Sequence, residues 1–143
     1  MSGIRVLGRT GAPIAVGLRL AGHDLIIDDV EVEGSVDTGV DILNDGAILV
    51  RSSRFSSIDG QPIRIGPAAT PQLRQNVFRR GPARPGTAAL DVAASAAPRL
   101  TANLFLGYGE TEAVKLDEAD AAGPRARELL KDNYLIKSQD HGR

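Results

Sequence analysis

The chain has 143 residues, 42% hydrophobic and 24% charged, with a formal net charge of -1; this suits one domain with a continuous core and excludes wholesale disorder. Its only aromatics are Phe55, Phe78, Phe105, Tyr108 and Tyr134, which argues against sites built from stacked rings, as for sugars or single-stranded bases. The absence of cysteine excludes a disulfide framework, a thiolate nucleophile and a Cys-containing zinc site.

Residues 1–22, containing IRVLGRTGAPIAVGLRLAG, read as one irregular coil. Arginines interrupt its apolar residues, which does not suit a signal peptide. No stretch reaches the roughly 18 to 20 apolar residues of a membrane helix. A soluble protein, cytoplasmic by default and without membrane insertion, is expected.

From residue 23 to about residue 120 a repeat organises the chain. LIIDDVEVEG, ILVRSSRFSS, PQLRQNVFRR and PRLTANLFLG can be written one under another. In each, an apolar residue is followed five positions later by a second: Ile27 and Val32, Val50 and Phe55, Leu73 and Phe78, Leu100 and Phe105. The steps are 23, 23 and 27 residues, with the extra four placed in a Pro/Gly-rich loop from Pro82 to Gly86. A second short strand with period-two alternation follows each segment: Val40-Asp41-Ile42, Ile63-Arg64-Ile65, Leu90-Asp91-Val92 and Val114-Lys115-Leu116. Leu18-Arg19-Leu20 is an earlier version.

Such units are too short for a strand, helix and strand crossover, which takes about 30 residues. The units also lack helical periodicity, and an all-β solenoid satisfies both facts: short strands separated by bends, with each coil stacked on the next about 4.8 Å away. Val32, Phe55, Phe78 and Phe105 are then expected to form one interior column. On the outside, Arg19, Asp41, Arg64, Asp91 and Lys115 alternate in sign, and opposite charges on neighbouring strands are favourable by roughly 0.2–1 kcal/mol per pair. Asn76 and Asn103, with Ser53 in the same place, read as bend residues whose side chains can ladder between coils. Val77 and Leu104 share the column of Glu31 and Arg54, and are expected to meet the C-terminal segment, the alternatives being a missing domain or another copy. Residues 121–136 read as a capping helix and extension, the helix running from about Pro124 to Asp132 with Leu129, Leu130 and Tyr134 on its apolar side. Residues 137–143 read as a flexible tail.

AILVRSSRFSSIDGQPIRI and PQLRQNVFRRG resemble the repeat of the right-handed parallel β-helix family, the pectate-lyase-like superfamily, over about Leu18 to Leu116. The resemblance implies a right-handed parallel β-helix of about five coils with a short C-terminal capping helix, a short non-catalytic member or an excised module. Enzymes of that family cleave acidic polysaccharides, some with a calcium site of carboxylates and an arginine or lysine base. None of their catalytic motifs transfers residue by residue to this chain.

Two clusters are candidate sites. Asp28, Asp29 and Glu31 form the best oxygen-rich group for calcium, set against a solvated acidic face. Arg51, Arg54, Arg74, Arg79, Arg80 and Arg84 suit a carboxylate, sulfate or phosphate ligand. His23 has no partner at a telling spacing. The expectation is a non-catalytic scaffold or binding module without a cofactor, self-associating through an exposed solenoid end or joined to a flanking domain. The alternative is binding or cleavage of an acidic polysaccharide through the arginine-rich face. Nucleic acid is not an expected partner, given the net charge and the lack of a reading helix.

Overall fold

A computed structural model describes residues 2–43, 46–81, 87–116 and 122–137. The loop Pro82 to Gly86, Arg84 and residues 138–143 lie outside the described residues. The strands are β1 Arg5–Gly8, β2 Ile14–Leu20, β3 Leu25–Asp28, β4 Glu31–Gly34, β5 Val36–Ile42, β6 Ile48–Arg51, β7 Arg54–Ser56 and β8 Gln61–Ile65. They continue with β9 Gln72–Arg74, β10 Val77–Arg79, β11 Leu90–Val92, β12 Arg99–Thr101, β13 Leu104–Leu106, β14 Val114–Leu116 and β15 Tyr134–Ile136. The helices are α1 Glu110–Ala113 and α2 Ala122–Leu130.

Every strand pairs with its equivalent one coil away, and always in parallel. Three sheets result, in the orders β1-β4-β7-β10-β13-β15, β2-β5-β8-β11-β14 and β3-β6-β9-β12. The molecule is a right-handed parallel β-helix of about five turns with a short C-terminal helix. In the first sheet the inward column is Val6, Val32, Phe55, Phe78, Phe105 and Leu135. The Phe78 ring lies between those of Phe55 and Phe105, with centroids 5.0 and 4.8 Å away and planes within 9° and 7° of parallel. Ile27, Val50, Leu73 and Leu100 form the facing column in the third sheet.

Only the corner between the third and first sheets is a two-residue turn repeated in every coil. Its first residue is left-handed: Asp29, Ser52, Gln75 and Ala102 have φ of 54°, 52°, 55° and 56°. The sequence suggested that the asparagines themselves take this conformation. Instead, the residue before each one turns the chain, and the asparagine points inward. After the first sheet the chain turns again through Gly34 (φ 91°) and Gly107 (φ 84°), where glycine avoids the Cβ penalty of that region.

The helix α2 takes the place of a fifth strand in the third sheet. It begins two residues before Pro124, and Ala126 and Leu130 are buried beneath it. Arg125 donates to the carbonyls of Ala94 and Ala96, tying the cap to the coil below. Tyr134 does not continue the helix. Asn133 ends it, and Tyr134-Leu135-Ile136 returns to the first sheet beside Leu104-Phe105-Leu106. Leu104 therefore meets the C-terminal segment edge to edge, in the ladder beside Tyr134, and not beneath the helix, whereas Val77 lies one strand further in, between Arg54 and Leu104.

Candidate functional site

The corner ladder is the most fully connected polar feature. Ser53, Asn76 and Asn103 are 1%, 0% and 0% exposed, so each buried donor and acceptor needs a partner. The Val30 N–H donates to Ser53 Oγ at 3.1 Å, and the Ser53 N–H to Asn76 Oδ1 at 3.0 Å. The Asn76 N–H donates to Asn103 Oδ1 and the Asn103 N–H to Asn133 Oδ1, both at 3.0 Å. Each asparagine also returns its Nδ2 to a carbonyl one coil back: Asn76 to Val50, Asn103 to Leu73 and Asn133 to Leu100. Asn133 is a member that the repeat reading missed. The signal was present, because Asn133-Tyr134-Leu135 repeats the pattern of Asn103-Leu104-Phe105. It was obscured by the helical reading of the preceding residues.

Several outward charges pair along the coils. Arg19, Asp41, Arg64, Asp91 and Lys115 are successive ladder neighbours. Arg19 lies 3.5 Å from the nearly buried Asp41 carboxylate, and Gln61 donates to Asp91 at 3.1 Å. Asp28 pairs with Arg51 at 3.4 Å, while Glu31 takes both Arg5 and Arg54. Asp29 occupies the left-handed corner and is exposed. Among the described residues no group of three or more His, Cys, Asp or Glu side chains could hold a metal ion.

The arginines divide by face. Arg51 and Arg74 are ladder neighbours on the third sheet, and Arg54 and Arg79 project from the first. Arg80 turns into the loop after β10, pairs with Glu112, and lies over the Tyr108 ring with its guanidinium carbon 5.7 Å from the centroid. The hydrogen bond from Arg80 holds the Glu112 carboxyl below its usual range, aided by the Gly109 N–H. Burial pushes the Tyr108 phenol up to about 12, opposed by Arg80. This trio packs α1 against the fourth coil, and sequence spacing alone did not indicate it. Among the described residues, Arg74 and Arg79 have no carboxylate partner. His23 is exposed at the bend before β3.

The two ends differ. At the C-terminal end α2 covers the core. At the first coil Ile4, Val6, Ile14, Leu18 and Leu25 are only partly buried, whereas Val32, Val36, Val40 and Ile48 of the next coil are 0–3% exposed. Leu7 and Ile26 are 40% and 49% exposed beside this opening. An open groove of about 270 Å³ runs from there along the third sheet, lined by Leu25, Ile26, Ala47, Leu49, Thr70 and Gln72.

No family model matches the chain, and no curated protein or solved structure matches it either. Among the described residues no helix is long and apolar enough to cross a membrane.

Proposed function

We propose that the protein is a non-catalytic scaffold or binding module that self-associates through the open first coil. The observation that carries this reading is the half-covered set Ile4, Val6, Ile14, Leu18 and Leu25, bordered by strand edges whose polar groups can accept a further strand. The outer charges support it too. Arg19, Arg51 and Arg54 are paired with carboxylates along the ladders, whereas an enzyme gathers such groups around one reacting position. Sedimentation over a concentration series tests it. The wild type should associate, and Leu7→Lys with Ile26→Lys, at exposed positions beside the opening, should weaken association at least tenfold. A wild type that stays monomeric throughout contradicts the reading.

The second reading is contact with an acidic polysaccharide. Its support is the pair Arg74 and Arg79, which lack carboxylate partners among the described residues, together with the resemblance of the repeat to the pectate-lyase-like superfamily. Titration calorimetry with polygalacturonate tests it: binding should be lost in Arg74→Glu/Arg79→Glu and should weaken with added salt. No heat with the wild type eliminates it.

A further inference from the structure

We propose that the groove on the outer face of the third sheet binds an anionic amphiphile, a medium-chain fatty acid, with its alkyl chain toward Ile26 and its carboxylate toward Arg99. This goes beyond the association assigned to the first coil. Ile26, Leu49, Gln72 and Arg99 are successive ladder neighbours in one outward column. The column passes from two aliphatic side chains through an amide to a guanidinium over about 14 Å, at about 4.8 Å per strand. The groove beside it holds about 270 Å³ and takes Leu25 and Ala47 into its apolar end. That is just under the usual span of small-molecule sites, roughly 300–1,000 Å³. Ile26 is 49% exposed and Leu49 is half-buried, so apolar surface is open along the column.

The charges set the sign and direction of the ligand. In the next outward column Asp28 pairs with Arg51. That leaves Arg74 diagonal to Arg99 and, like it, without a carboxylate partner among the described residues. Glu128 and Asp132 line the hollow beyond Arg99, but both lie against Lys131. Asp24 stands at the apolar end of the groove and repels a carboxylate placed there. The surface also selects an alkyl chain over a peptide or a sugar. The backbone groups beneath Leu49 and Gln72 are committed to ladders on both sides, so this face offers a ligand side chains alone. A peptide lying over Ile26 and Leu49 would strip water from its own N–H and C=O groups without replacing those hydrogen bonds, and sugar hydroxyls would meet the same penalty. An alkyl chain carries no such groups, and its carboxylate gains charge-assisted hydrogen bonds from arginine.

An NMR titration of the isotope-labelled full chain with sodium decanoate, kept below its micelle-forming concentration, tests this. The amide signals of Ile26, Leu49 and Gln72 should move together. From hexanoate to octanoate to decanoate, affinity should rise at least about threefold for each two carbons added. Arg74→Gln/Arg99→Gln should weaken decanoate at least about tenfold, the worth of one charge-assisted contact. Leu49→Gln should weaken it at least about threefold, and Lys115→Gln, on the second sheet, should bind as the wild type does. Arg74→Glu/Arg99→Glu should exchange the preference, taking decyltrimethylammonium in place of decanoate. No shifts in the wild type, an affinity indifferent to chain length, or an equal loss in Lys115→Gln overturns the proposal. Binding that survives both Leu49→Gln and Arg74→Gln/Arg99→Gln also overturns it, since the ligand then sits elsewhere. Sedimentation without decanoate reads the first-coil association separately, so either proposal can fail alone. Urea unfolding of each variant establishes that the fold is retained, as expected for outward side chains.

Discussion

Asn76→Ala isolates the contribution of the corner ladder. The substitution removes three hydrogen bonds: Ser53 N–H to Oδ1, Nδ2 to the Val50 carbonyl and Nδ2 to Asn103 Oδ1, each at 3.0 Å. A typical bond is worth about 1 kcal/mol net, and a buried N–H left without an acceptor costs about 1–3 kcal/mol. Ser53 is 1% exposed, so water does not readily replace the lost acceptor. The expected loss is therefore about 3–5 kcal/mol, a large share of the roughly 5–15 kcal/mol that stabilises a domain. Urea unfolding followed by circular dichroism should show a midpoint lowered by about 1.5–3 M with an unchanged slope. Asn76→Asp should fall at least as far at neutral pH, since it keeps the acceptor but loses both donors and buries a charge. The exposed control Thr101→Ala should stay within about 0.5 kcal/mol. A loss below about 1 kcal/mol for Asn76→Ala would refute the ladder as a stabilising element.

Phe78→Ala should cost about 3–5 kcal/mol in the same assay and exceed Phe55→Ala, because Phe78 stacks on two rings and Phe55 on one. Equal losses would show that ring stacking adds nothing to burial. Ala102→Gly should stabilise by about 0.5–1 kcal/mol, since glycine relieves a left-handed alanine and offsets its own unfolded-state entropy; a lower melting temperature contradicts this. Glu112 is depressed in the folded state, so its contribution is present above its unfolded value and disappears as pH falls through the lowered one. Glu112→Gln should therefore be less stable than wild type at neutral pH, by under about 1 kcal/mol for a partly exposed pair, and equal to it at strongly acidic pH. A deficit that persists in acid would assign the effect to packing.

The stacking order was legible because a solenoid makes each coil solve the same problem. Val32, Phe55, Phe78 and Phe105 had to be large and apolar wherever the chain returned to the same inward position, so their spacing alone gave the register. The alternating charges of Arg19, Asp41, Arg64, Asp91 and Lys115 were legible for a similar reason: neighbouring strands bring equivalent positions within reach of Coulomb attraction. The position of the left-handed residue was not. Asn can turn a chain or bond within it, and only the paired strands on both sides show that Ser52, Gln75 and Ala102 make the turn while the next side chain bonds inside.

Local pattern thus determined the architecture: the coil length, the inward columns and the presence of a helical cap. The tertiary structure decided what each end exposes. The same apolar residue is buried in a middle coil and half-open in the first, because burial depends on having neighbours on both sides. Likewise, Asn133-Tyr134-Leu135 carries the repeat pattern, but only the paired strands show that it returns to the first sheet after α2 has covered the core.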